Sequence, residues 1–210
     1  MQITKLGHSC VLVKTENRIA IFDPGVWSTH FKIDEIEHID RIVITHEHGD
    51  HFDIDKIKQL ADKFPDSHLV SNQEVAAKAK AAGIKLMHRE ETRCTVKFTS
   101  SHEQLPIPSV TAPDQNGYHF DQSFTSPGDS HSFSETMGVL AMPLIAPWGN
   151  TRDAVNKILE LKPEYVLPVH DWHYTEEAKK WLSDLIEPDL EKANIKLLPS
   201  HSGITHELSL

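Results

Sequence analysis

The chain has 210 residues, with 21 Lys and Arg against 31 Asp and Glu, for a formal net charge of −10. Hydrophobic residues at 39% and charged residues at 25% fit a single globular domain over 1–210 with a buried core, which excludes wholesale disorder. The acidic balance argues against nucleic acid as a partner, and no apolar run reaches the roughly 18 residues of a membrane-spanning helix.

The chain opens on three β-like runs, 3–6, 10–15 and 18–22, the last two joined as a hairpin at Glu16-Asn17. The opening Met1-Gln2-Ile3-Thr4-Lys5 lacks the apolar stretch of a signal peptide. Cys10 and Cys94 make no disulfide framework and read as small core residues, so a reducing cytoplasm is the expected compartment. Residues 41–45, Arg-Ile-Val-Ile-Thr, form a buried strand. Asp53 caps a helix with an apolar stripe of Ile57, Leu60, Ala61 and Phe64. A strand at 68–71 follows, then a helix capped by Asn72, running to about Ala82 and closed by Gly83.

The second half continues the alternation. Strands are expected at 95–100, 117–120, 123–125, 139–142 and 165–167. Thr151 caps a helix bearing Ala154, Val155, Ile158 and Leu159; Thr175 caps another with Ala178, Trp181, Leu182, Leu185 and Ile186 at helical spacing. Strands at 195–198 and 204–208 finish the chain. This order implies sheets covered by helices, an α/β or α+β architecture. The stretch 105–116, with three prolines, reads as a stiff loop.

The chain holds 15 histidines, and the densest group is His46-Glu47-His48-Gly49-Asp50-His51, directly after the buried strand. Imidazole nitrogens and a carboxylate suit a divalent ion such as zinc. His46 and His48 lie two apart and can face one ion; Asp50 and His51 can face a second, with Gly49 letting the backbone turn between the pairs. A solvated His-rich loop is the alternative, and its placement after a strand weighs against it.

The run resembles the H-x-H-x-D-H signature of the metallo-β-lactamase superfamily. Within it the chain is most similar to the branch that includes ascorbate-6-phosphate lactonase, through Gly7-His8-Ser9, Asp23-Pro24-Gly25, Pro127-Gly128-Asp129-Ser130 and Pro168-Val169-His170. The resemblance implies a four-layer αββα sandwich of two mixed β-sheets over nearly the whole chain. It implies one metal site of His46, His48 and His102, a second of Asp50, His51 and His170, and Asp129 as the carboxylate between them. It also implies that Asp23 supports the ligand loop by hydrogen bonding. The role of His8 stays open between structure and site.

The implied cofactor is a pair of divalent ions, zinc first, with manganese or iron able to share such ligands. The implied chemistry is hydrolysis by a metal-bridging hydroxide, with Asp50 as the catalytic group that orients the nucleophile and passes a proton on. The ions outweigh Asp50, Asp129 and hydroxide by roughly one charge, so an anionic small molecule is compatible with the site despite the global −10. His119, His131, Trp148 and His173 are candidates to line the substrate. The resemblance points to an ester-like bond, a lactone of a sugar acid or sugar phosphate. A phosphodiesterase of the same fold and a non-catalytic metal-binding protein are the alternatives. Nucleic-acid processing is opposed by the charge. A di-iron redox role is opposed by histidine at position 48, where such relatives carry glutamate, and by the lack of a flavin domain. β-Lactam hydrolysis is opposed by the missing export signal. A homo-oligomer is compatible with the sequence.

Overall fold

The computed structural model describes residues 1–105 and 107–210. Strands β1 (Gln2–Gly7), β2 (Cys10–Lys14) and β3 (Ile19–Phe22) form an antiparallel meander. Strands β4 (Arg41–Val43), β5 (His68–Val70) and β6 (Met87–Arg89) extend it in parallel from β3. A second sheet holds β7 (Thr95–Phe98), β8 (Gly117–Phe120), β9 (Phe124–Ser126), β10 (Val139–Pro143), β11 (Tyr165–Val169) and β12 (Lys196–Leu197), in the order β12-β11-β10-β9-β8-β7. The last strand, β13 (Thr205–Glu207), returns to β1 and completes a seven-stranded first sheet.

Alternation along the strands explains the layers. Ala20 and Phe22 of β3 enter the core between the sheets, with Val43, Val70, Phe120, Phe124, Val139, Ala141 and Leu167. Ile21 and Ile42 face the other way and pack on Ile57 and Leu60 of α1 (Ile54–Lys63) and on Val75 and Ala79 of α2 (Gln73–Ala81). On the second sheet, Leu140 and Met142 face outward onto α3 (Thr151–Leu161) and α4 (Glu176–Lys192). The result is the expected four-layer αββα sandwich. Cys10 and Cys94 are buried and unbridged, and burial pushes the Cys10 thiol up to about 12, so it is inert. Among the described residues no helix is long and apolar enough to cross a membrane.

Some boundaries differ from the sequence expectation. Asp53, Asn72 and Thr175 cap their helices as expected. Asn150, not Thr151, caps α3, because its side chain accepts the Asp153 amide and Thr151 is already helical. Strand β6 was not expected; its Met-His-Arg run is largely exposed and shows no buried-strand pattern, and it exists because β5 offers it a partner. The strand expected at 95–100 ends at Phe98, so His102 lies in a loop rather than at a strand end. Pro106, within the proline-rich stretch 105–116, lies outside the described residues. The end of that stretch is tied to the motif strand by the Asn116 amide, which donates to Thr45 O.

Candidate metal centre

Strands β3 and β4 run parallel, as do β9, β10 and β11. Their carboxyl ends therefore deliver Asp23, the run 46–51, Asp129 and His170 to one edge of the sandwich, where the β1–β2 turn adds His8.

Two clusters of donor atoms form there. One is His46, His48, His102 and Asp129; the other is His8, Asp50, His51 and His170; within each, all ligand atoms lie within 4.8 Å of one another. Asp129 also reaches the second cluster: its Oδ1 is 3.0 Å from His51 Nε2 and its Oδ2 is 3.2 Å from His170 Nε2. All seven residues expected as ligands are thus brought together, with Asp129 between the groups. The arrangement fits divalent metal on its donor chemistry: His46 Nε2 and His102 Nε2 are buried without a hydrogen-bond partner. Buried polar atoms are rarely left so, and imidazole and carboxylate are the donors zinc-like ions take.

The opposite ring nitrogens are held. His170 Nδ1 is 3.1 Å from Ile145 O, His102 Nδ1 is 2.6 Å from Glu103 O, and His51 Nδ1 is 3.0 Å from Asp23 Oδ2. Asp23 also accepts from the Thr45 amide and hydroxyl at 2.8 and 3.0 Å. It therefore ties the loop through His51 and Thr45 and enters neither cluster. Such partners orient a ligand and fix its tautomer. Asp23 and His170 are both left-handed, at φ of 43° and 62°, a strain of about 1–3 kcal/mol for a non-glycine residue that collects at functional loops.

The glycine the loop needs is Gly25, not Gly49. Gly49 is not left-handed, and a Cβ there meets nothing within 4 Å, whereas a Cβ at Gly25 would overlap the Asp50 carbonyl. Gly49→Ala is therefore expected to leave metal content at the wild-type level. Gly25→Ala should push the 50–51 backbone away and lose ions bound through Asp50 and His51. Metal analysis of the two variants side by side checks this.

Burial and neighbours set the charges. Burial, reinforced by nearby His51, holds His46 well below the usual imidazole range, and burial with His102 nearby lowers His48, so both stay neutral. Burial lowers His51 and His170 too, but the facing carboxylates outweigh it: Asp129 and Asp23 hold His51 well above its ordinary value, and Asp129 raises His170. Burial would raise Asp129, yet His170 and His51 keep it well below the carboxylate range.

The four lining candidates separate. Trp148 lies over the centre, its ring centroid 6.3 Å from His102 and 5.6 Å from His170, and its indole N–H donates to Asp129 Oδ2 at 3.1 Å. His173 stands edge-on to His170 at 6.3 Å. His131 is one step farther out, 5.2 Å from Trp148, with Nε2 2.8 Å from Pro143 O. His119 sits on β8, stacked on Phe98 and bonded to Thr125 Oγ1 at 2.9 Å, and joins neither cluster.

Sequence reasoning missed a buried ion pair beneath His170. Lys5 shares the inner face of β1 with Ile3, is fully buried, and reaches Asp171 Oδ2 at 2.7 Å and Pro168 O at 2.9 Å. An isolated lysine on an edge-like strand reads as solvent-facing, so no local signal marked it.

Comparison with known proteins gives a match to the family model described as "Beta-lactamase superfamily domain" over residues 2–170. Protein Rv0786c of Mycobacterium tuberculosis is 28% identical, covering 98% of this chain and all of its own length. A UPF0173 protein of Pyrococcus abyssi is 28% identical over 81% of this chain and 83% of its own. Among solved structures, a metallo hydrolase of the archaeon Ignicoccus hospitalis superposes with a TM-score of 0.70 at 16% identity, covering 99% of each chain.

Proposed function

Because the chain belongs to the beta-lactamase superfamily domain family, we propose that its two-cluster centre is that of a metal-dependent hydrolase. The observation that carries this reading is the convergence of His46, His48, His102, Asp50, His51 and His170 around Asp129, with buried nitrogens left unpartnered. His46, His48 and His102 would hold one divalent ion, Asp50, His51 and His170 a second, and Asp129 would face both. Such ions supply Lewis acidity and bring the pKa of bound water from 15.7 down to about 7.

The chain's own groups do the rest. Asp50 is half-buried at the mouth of the second cluster. It can hold an attacking water by hydrogen bonding and take its proton at Oδ1, since Oδ2 faces His8 and His170. The Trp148 indole donates to Asp129 and keeps that carboxylate fixed. Its flat face can pack against the C–H face of a small ring, which supports a lactone of a sugar acid or sugar phosphate as the substrate class. His173, edge-on to His170 at 6.3 Å, would be the group nearest to meet the departing part of the substrate. No serine or cysteine nucleophile is needed.

The test is a panel of lactones, phosphodiesters and thioesters offered to the zinc- and manganese-loaded protein and to His48→Ala. Lactone turnover that the variant loses is expected; turnover unchanged in the variant contradicts the reading.

Binding should also depend on pH. His51 and His170 are raised by the facing carboxylates, so each keeps its proton to higher pH than an ordinary imidazole, and a cation must displace it. Metal affinity is therefore expected to fall from pH 8 to pH 6. Competition titration with a chromophoric chelator checks it.

A further inference from the structure

His8 falls into the second cluster by distance, yet its surroundings give it a different role. The Trp172 backbone N–H points at His8 Nδ1 at 3.3 Å. An amide N–H can only donate, so Nδ1 is the accepting nitrogen. A neutral imidazole then carries its one proton on Nε2. That nitrogen lies 3.2 Å from Asp50 Oδ2 and donates to it. Both ring nitrogens are thus engaged, and no lone pair remains for an ion.

The residue is also locked from every other side. Its backbone carbonyl accepts the His170 amide at 3.3 Å. Its ring stands edge-on to Trp27 at 5.0 Å and tilts against His170 at 4.3 Å. Trp27 in turn stacks on Trp172 at 4.3 Å. His8 is left-handed at φ 46°, and a Cβ on the preceding Gly7 would press on Trp27 O and Thr29 N. A strained turn held this firmly, touching Asp50 through one atom and the 170–172 segment through two, is built to set their separation.

We propose that His8 is a positioning residue, not a metal ligand: it clamps the Asp50 carboxylate to the His170 loop and so preserves the second ion site. The inference rests on the metal-centre reading above. Outer partners of this kind are typically worth about 10–100-fold in metal affinity. Gln at this position can keep a donor near the place of Nε2; Leu cannot.

The experiment is stepwise cobalt(II) titration of the full-length wild type, His8→Gln and His8→Leu, following affinity and the visible d–d spectrum, with a thermal melt to verify folding. The expected result is an unchanged first ion in all three. The second ion should weaken about 10–100-fold in His8→Leu and return to within about threefold of wild type in His8→Gln. The second-site cobalt spectrum of His8→Gln should match wild type, because no ligand has changed. Wild-type affinity for both ions in His8→Leu overturns the inference. So does a His8→Gln protein that loses the second ion as badly as His8→Leu or shows an altered cobalt spectrum, since either marks His8 as a ligand. Should His8→Leu fail to fold, wild type against His8→Gln decides by the same criteria. A wild type that takes up no second ion overturns the metal-centre reading, and this inference with it.

Discussion

Stripping divalent ions from the protein is expected to abolish hydrolysis and to lower the melting temperature by about 8–16 °C. The ligands come from separated segments: the loop after β4, the loop after β7, the turn after β9 and the end of β11. An ion bound only by the folded chain ties these segments together. At a free concentration about 1,000 times its Kd it adds about 4.1 kcal/mol. For a chain of this length each kcal/mol moves the melting temperature by about 2–4 °C. The ion-free state also keeps unpartnered nitrogens and two raised histidines crowded around Asp129. Calorimetry with and without a chelator, followed by zinc or manganese re-addition, measures the effect. Full activity after verified metal loss contradicts it.

Asp171→Ala is expected to cost about 3–5 kcal/mol of folding stability, because it strands the Lys5 ammonium in the interior. Lys5 is fully buried, and Asp171 Oδ2 is its ion-pair partner at 2.7 Å. Burial already lowers the Lys5 pKa, with Asp171 acting to raise it back. Removing Asp171 takes away the largest influence that raises it and leaves burial, helped by Lys179, to lower it further against the weaker pull of Glu176. A folded-state pKa below the unfolded one means that the unfolded chain binds more protons. The variant's stability should therefore rise as pH climbs toward the unfolded lysine value and fall as pH drops. The double variant Lys5→Met/Asp171→Leu, which removes both charges and keeps volume, should recover most of the loss. Urea unfolding across pH measures both. A wild-type midpoint in Asp171→Ala would show that the pair carries no such weight.

The parts of this protein legible in its sequence are those whose signal is local. The 46–51 run follows a strand whose residues are buried on both faces, so the motif and its rigid base are read together. The caps Asp53, Asn72 and Thr175 each sit beside the helix they start. Asn150 was displaced by its neighbour Thr151 because both residue types cap well. His102, Asp129 and His170 have little local signal and became readable only through the family resemblance. What the sequence left unread depends on partners that only the fold brings together. Lys5 meets Asp171 across 166 positions of sequence, and its inward direction follows from the pairing of β1, not from its type. His8 takes its tautomer from an amide 164 residues away. Gly25 matters because the Asp50 backbone passes over it, which no turn propensity reveals. Likewise, His119 is engaged by Phe98 and Thr125, both on its own sheet.

The most direct test of the metal-centre reading is the metal content per chain of purified wild type and of His48→Ala, measured by elemental analysis after reconstitution with zinc and with manganese. The two-cluster geometry calls for about two ions per wild-type chain and a clear loss in the variant. A wild-type chain that binds none, with either metal, would contradict it.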